Sequence, residues 1–302
     1  MSIDLTRPGS APTSALALWD VTTSRWSAAS SVPLAGSGRV ASLGDALYVA
    51  HASGVFRVDE GALTQVSPAF DTHASISAFT AWGDSLLVAG GLLARSPFVS
   101  VARVDPTTGV RTPMMHASQQ VLALAPRGDT VVVGGSFLGV DELPRVFAGG
   151  VVAYDTRRGA WSTFAQGLSR DGGGILEPPA VRALAWVGDT LYAAGSFPAG
   201  LARWNVAATR WEEIEGIRGS VYVLAACGGD LYVGGDFDAP SHGIVRWDGA
   251  RFWPMGTGVS GERPDQPAAV YAMTAAPDGA LYVTGNFTEV HGRPSRYIAR
   301  WR

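Results

Sequence analysis

The chain has no lysine: all 23 of its basic residues are arginine. That absence removes Schiff-base chemistry on a lysine amine and the lysine of a phosphate-binding P-loop. Cysteine is almost absent too. Cys227 stands alone, so no internal disulfide framework can hold the fold and packing must do so. No apolar run approaches the roughly 20 residues of a membrane-spanning helix. The N-terminal MSIDLTRPGS carries Asp4, Arg7 and Pro8 where a secretory signal needs an apolar stretch. The expectation is a soluble protein without a signal peptide or a membrane span, with the cytoplasm favoured. The arginines form no basic run and the formal charge is −3, so no nucleic acid partner is expected. Helical periodicity is missing, as are GxSxG, Walker and dinucleotide motifs, so no nucleotide cofactor is expected.

What the chain does have is glycine and proline, 38 and 18 residues, scattered as turn punctuation through 302 residues that are 47% apolar. One phrase returns six times: GDALYVAH from Gly44, GDSLLVAGG from Gly83, GDTVVVGGSF from Gly128, GDTLYAAGSF from Gly188, GDLYVGGDF from Gly229 and DGALYVTGNF from Asp278. The aligned apolar residue falls at 47, 86, 131, 191, 231 and 281. A fixed core at irregular spacing means variable loops on a constant scaffold.

Each unit reads as four short strands, here A to D. An apolar stretch such as VRALAWV is followed by a tight Gly-Asp turn and the LYVGG strand. The third strand carries the ARWD phrase, and a short turn leads to a fourth marked by Trp26, Trp161, Trp211 or Trp253. Four strands per unit of about 40 to 50 residues is the pattern of a β-propeller, an all-β single domain over 1–302. The phrases LYVGG, GGDF and ARWD resemble the bacterial Kelch-like repeat of galactose-oxidase-type propellers. The resemblance covers nearly the whole chain and implies the fold. It does not carry over that family's copper site, since Cys227 precedes the Gly228-Gly229-Asp230 turn on the opposite face.

Strand direction assigns the faces. The A-B and C-D turns share one end of the propeller, and both are short. The B-C and D-A connections share the other end, and include SFLGVDELPRVF, NFTEVHGRPSR, SPAFDTHAS, AQGLSRDGGGILEPP and GTGVSGERPDQPAA. Long polar loops on a rigid frame are where function concentrates. All five histidines fall on this loop-rich face: His73 and His116 in D-A loops, His242 and His291 in B-C loops, and His51 at the second-glycine position of LYVGG. The candidate binding set is His51, Asp71, His73, His116, Gln120, Glu177, His242 and His291. His51, His73 and His116 are candidate ligands of a divalent metal, and His73, His116 and Glu177 candidate catalytic groups, because neutral imidazole both ligates metals and transfers protons near pH 7. Polar residues also gather in long loops for no functional reason, and no HxH or HExxH spacing occurs. Met114, Met115, Gln119 and Gln120 could line a pocket mouth, and the Arg170–Gly174 stretch RDGGG reads as a lid or a plain loop.

Other repeated residues read as structure. Trp19, Trp204, Trp247 and Trp301 share one strand position and are expected to pack between blades. Asp45, Asp84, Asp129, Asp189 and Asp230 are expected to bond their own turns. Two functions follow: a module binding a small-molecule, glycan, peptide or protein ligand on the loop face, or alternatively a hydrolase or lyase with a histidine pocket over the axis. The strand count is uneven, with six A, six B and six D strands but seven copies of C, from ALALWD to IARWR. The expected ring has six blades, its last one taking an outer strand from Arg25–Ala29. The alternative is a seven-bladed ring with one partial blade.

Overall fold

The computed structural model describes residues 16–20, 23, 25–28, 38–59, 62–71, 74–92, 99–140, 148–165, 167–168, 179–261, 267–276 and 278–301. Every regular element among them is a β-strand. The first two, β1 (Ala17–Asp20) and β2 (Arg25–Ala28), form an antiparallel hairpin. Blade 1 follows as β3 (Arg39–Leu43), β4 (Ala46–His51), β5 (Gly54–Asp59) and β6 (Ala62–Ser67). Blade 2 is β7 (Ser75–Trp82), β8 (Ser85–Gly91), β9 (Val101–Val104) and β10 (Arg111–Met115). Blade 3 is β11 (Val121–Arg127), β12 (Thr130–Gly135), β13 (Val151–Asp155) and β14 (Ala160–Thr163), and blade 4 is β15 (Val181–Val187), β16 (Thr190–Gly195), β17 (Leu201–Asn205) and β18 (Arg210–Glu213). Blade 5 is β19 (Arg218–Cys227), β20 (Asp230–Ala239), β21 (Ile244–Trp247) and β22 (Phe252–Pro254). Five sheets are thus four-stranded antiparallel meanders in the order A-B-C-D.

The last sheet has three strands, β24 (Val270–Ala275), β25 (Leu281–Gly285) and β28 (Ile298–Trp301). Three two-residue strands, β23 (Val259–Ser260), β26 (Glu289–Val290) and β27 (Arg293–Pro294), make a small sheet beside it. The innermost strands neighbour one another in the order β3, β7, β11, β15, β19, β24, which is a β-propeller. The closure expected from the sequence differs. The copy of C in the last blade is β28, paired with β25, whereas β2 pairs with β1. Among the described residues Arg25–Ala28 is therefore not the outer strand of that blade. The hairpin β1–β2 counts as the C and D strands of a seventh, partial blade, which is the alternative reading.

Adjacent blades are joined by aliphatic layers. Ile76, Phe79 and Leu86 of blade 2 pack with Tyr48, Ala50 and Val55 of blade 1. Leu87, Ala89 and Val101 face Val121, Val131 and Val133 of blade 3. Trp204 packs between blades as expected: its ring and that of Phe164 lie 5.0 Å apart, edge to face, across blades 3 and 4.

The second glycine of LYVGG has a steric origin. A Cβ on Gly90, Gly135, Gly195, Gly235 or Gly285 would run into the backbone carbonyl oxygen of Ser75, Gln120, Ala180, Ser220 or Ala269, just before or at the start of the A strand. The B-C loops then close alike whatever their length. The amide of Gly135, Gly195, Gly235 or Gly285 donates to the carbonyl of Gly150, Gly200, Gly243 or Tyr297, and the amide of that same residue donates to the carbonyl of Phe137, Phe197, Phe237 or Phe287. All four closing residues have positive φ, including Tyr297 at 67°, and all four phenylalanines are buried.

Three stability changes are expected in urea unfolding. Gly200→Ala has space for its methyl but keeps the left-handed φ of 69°, so it costs about 1–2 kcal/mol. Gly195→Ala adds a backbone clash and costs more, about 2–3 kcal/mol in all. Tyr297→Gly is neutral to stabilising, since Tyr297 is exposed and strained.

Candidate functional site

The two ends of the propeller differ in what their side chains are already doing. At the turn end four of the five recurrent aspartates expected to bond their own turns, Asp84, Asp129, Asp189 and Asp230, take arginine partners, as does Asp278. Asp84 pairs with Arg103 at 3.3 Å, Asp129 with Arg157 at 2.6 Å, Asp230 with Arg246 at 2.8 Å, Asp278 with Arg300 at 2.5 Å, and Asp189 with Arg127 of the preceding blade. Three of these arginines, Arg103, Arg246 and Arg300, are the Arg of the ARWD position and its variants, one strand across from the Gly-Asp turn. The final residue of the same phrase caps the C-D turn: Asp105, Asp155 and Asp248 each accept two backbone N–H groups, and Asn205 accepts one. Cys227 also lies here, its Sγ 3.6 Å from the Gly279 carbonyl.

Asp248 shows the electrostatic result. The Trp253 indole N–H, then the amides of Arg251 and Ala250, hold its carboxyl down to about 2. A depressed carboxyl pKa contributes stability above the unfolded value near 3.8 and loses it as pH falls through about 2.

At the loop end three D-A links are stitched to the B-C loops on both sides of a blade boundary. The Phe70 amide donates to Ala52 of blade 1 and the Asp71 amide to Leu92 of blade 2. Ala117 N–H donates to Ser100 Oγ while Ser118 N–H reaches Gly139. Val259 N–H donates to the His242 carbonyl, and His291 N–H to that of Gly258. The candidate residues are spread among these junctions. His51 and Asp71 belong to the boundary of blades 1 and 2, His116 and Gln120 to that of blades 2 and 3, and His242 and His291 to that of blades 5 and 6. His73, Glu177 and the Arg170–Gly174 stretch lie outside the described residues.

His51 is buried, and its Nδ1 lies 2.7 Å from Ser53 Oγ and accepts the Ser53 amide at 3.1 Å. A metal would thus be reached through Nε2. It stands where five blades carry glycine, and its A strand, β3, pairs regularly from Arg39↔Ala50 onward without the irregularity found in those five. His242 is exposed, its Nδ1 3.5 Å from Asp238. His291 and Gly292, both with positive φ, form the two-residue turn between β26 and β27, and the His291 ring accepts the Thr257 amide at 3.2 Å. Met115 is buried, Met114 half-buried and Gln119 and Gln120 exposed. Among the described residues no group of three or more His, Cys, Asp or Glu is placed to hold a metal ion.

A feature that the repeat alone did not indicate lies at the axis. In β7, β11, β15, β19 and β24 the register shifts near the start of the strand, leaving one unpaired extra residue: Ser77, Leu122, Arg182, Tyr222 and Tyr271. Such a bulge re-aims a side chain. Its neighbours pack into opposite blade interfaces. Val181 and Ala183 enter different clusters, as do Val221 and Val223, and Ile76 and Ala78. The extra residue enters neither interface and sits on the innermost strand of its blade. Tyr222 and Tyr271 meet there, ring centroids 5.9 Å apart at 31°. The Arg39 Nε donates across to the Ser77 carbonyl at 2.9 Å and its Nη1 to the Gly38 carbonyl at 3.3 Å. The signal in the sequence was the odd residue in VRALAWV and VYVLAAC, polar or aromatic between two apolar ones.

Among the described residues two open grooves lie along the outer strands. One, of about 940 Å³, runs between Trp211, Glu212 and the Gly249–Phe252 turn; the other, of about 790 Å³, between Met114 and Trp161. In the first, Glu212 is already paired, with Asn205 at 2.7 Å and Arg203 at 3.0 Å, which lowers its pKa.

No family model and no curated protein matches the chain. Among solved structures it is similar to the extracellular domain of the putative hybrid two component system BT4673 from B. thetaiotaomicron, with a TM-score of 0.60 and 13% identity over 88% of this chain and 32% of that one. The RRP9 WD40 repeats match with a TM-score of 0.55 and 14% identity over 84% and 76%. The GH74 xyloglucanase from Xanthomonas campestris matches with a TM-score of 0.53 and 15% identity over 85% and 43%. The chain spans about a third of the length of the first. No helix among the described residues is long and apolar enough to cross a membrane.

One consequence of the turn-end chemistry is measurable. Between pH 4 and 2 the wild-type chain should lose thermal stability more steeply than Asp248→Asn, and parallel slopes would show that this carboxylate is not linked to folding. The chain is a β-propeller with a self-paired turn end and a stitched, polar loop end.

Proposed function

We propose that this propeller is a binding module whose D-A and B-C face takes a small-molecule, glycan, peptide or protein ligand, with the axial mouth as the centre of the site. The carrying observation is where arginine lacks a partner. At the turn end Arg103, Arg127, Arg157, Arg246 and Arg300 are taken by aspartates, whereas Arg182, Arg218, Arg293 and Arg296, all at the loop end, have no acidic partner among the described residues. A desolvated or ligand-facing arginine with unspent donors is a recognition group, and a solvated self-paired one is not. The loops around it are held by backbone hydrogen bonds at the boundaries of blades 1 and 2, of blades 2 and 3, and of blade 5 and the last blade, so a ligand would meet a preformed surface there.

The test is a ligand screen on the full chain with glycan, peptide and metabolite libraries, followed by hydrogen-exchange mapping of any hit. Protection is expected on the D-A and B-C amides and not on the Gly-Asp turns. Protection confined to the turn end or the rim grooves would overturn the assignment of the face.

His51 supports a second reading, a hydrolase or lyase with a divalent metal on His51, His73 and His116 and Glu177 as acid or base. Its support is that a buried imidazole replaces glycine in one blade alone. Stoichiometric metal that chelation removes, and that His51→Gly or His116→Ala abolishes, is the result expected of it; metal content unaffected by both variants would sink it.

A further inference from the structure

We propose that the axial mouth binds the carboxylate of a ring-shaped ligand, with Arg182 taking the charge and the Tyr222–Tyr271 pair carrying the ring. This rests on the loop-face reading above and adds the chemistry of the ligand.

The five aligned bulges place Ser77, Leu122, Arg182, Tyr222 and Tyr271 at one level of five consecutive innermost strands, with Arg39 of the unbulged first blade reaching the same level. Three consecutive blades therefore present Arg182, Tyr222 and Tyr271 side by side. Arg182 is exposed and takes no hydrogen bond or ion pair among the described residues, so its fork of donors is unspent. Arg39 has committed Nε and Nη1 to the carbonyls of Ser77 and Gly38. One uncommitted guanidinium matches the single charge and planar two-oxygen geometry of a carboxylate. A phosphate dianion would be left half-compensated.

The tyrosines define the rest of the ligand. Tyr271 is 55% exposed, among the most exposed large apolar-bodied residues described. Its ring and that of Tyr222 are inclined by only 31°, a shallow shelf that a flat body covers and a branched chain does not. Pyranose C–H faces and aromatic rings both suit such a shelf. The shared chemistry is a carboxylate attached to a ring, available from a uronic-acid saccharide or from an aromatic acid.

The experiment is calorimetric titration of the full chain with trigalacturonic acid, with 4-hydroxyphenylacetate and with neutral maltotriose, repeated on Arg182→Gln, Tyr271→Ala and the turn-end control Asp84→Asn. One of the two acids is expected to bind, which identifies the source, and maltotriose is not. Arg182→Gln is expected to weaken that binding on the order of tenfold or more. Tyr271→Ala should weaken it several-fold, and Asp84→Asn should leave it unchanged. Both variants alter exposed side chains, and unchanged melting curves will confirm that they fold. Equal affinity of Arg182→Gln and wild type, equal binding of maltotriose, or no binding of either acid overturns the proposal. So does a library hit of another class, such as an acidic peptide, that binds the loop face independently of Arg182. That last outcome would leave the loop-face module standing while removing this ligand chemistry, so the two failures are distinguishable.

Discussion

A blade of this propeller has to bury both of its faces at once, and most of the molecule follows from that requirement. Its A and B strands send alternate residues into the layer on either side, so Val223 joins the interface with the last blade and Leu224 that with blade 4. Apolar residues therefore appear at nearly every position of these strands rather than at every second one. The same requirement isolates whatever does not fit. A bulge adds one residue that belongs to neither interface, and five strands do this at the same level. The axial wall is in this sense a by-product of two-sided burial, and chemistry can vary there without disturbing a core.

The loop end obeys a second constraint. Close approach of the A-strand start to the B-strand end leaves no room for a Cβ at the second glycine in five blades. In four of these blades the loop that leaves this point returns through the paired amide contacts around Phe137, Phe197, Phe237 and Phe287. Because the closure is the same whether the return is at Gly150 or Gly200, insertions cost little, and the uneven repeat spacing is explained. His51 is the exception. A side chain there is compatible with a first blade whose inner strand pairs without a bulge.

Charge separates the two ends. At the turn end the recurrent Asp and Arg satisfy each other across one strand, a solvent-exposed set of pairs each worth little alone. They remove both charges from the reach of a ligand. At the loop end the backbone does most of the joining, and Arg182, Arg218, Arg293 and Arg296 have no acidic partner among the described residues.

The repeat, the four strands per unit, the assignment of the two ends and the packing role of the tryptophans were legible from residues 44–301 because strand period and turn chemistry are local properties. The contact of His291 was not. That residue holds a two-residue turn against the Thr257 amide, a partner 34 residues away in the chain. Nor could the order of residues say that Arg127 would pair with Asp189 of the next blade, or that Arg182, Tyr222 and Tyr271 would stand together. Such neighbours are set by ring order and by a one-residue register shift, and a register is decided only when two strands and the layers on both sides of them pack at once. What the sequence determined by itself was the repeating unit and where its loops go; the tertiary structure decided which side chains remain unspent, because pairing is a property of neighbours.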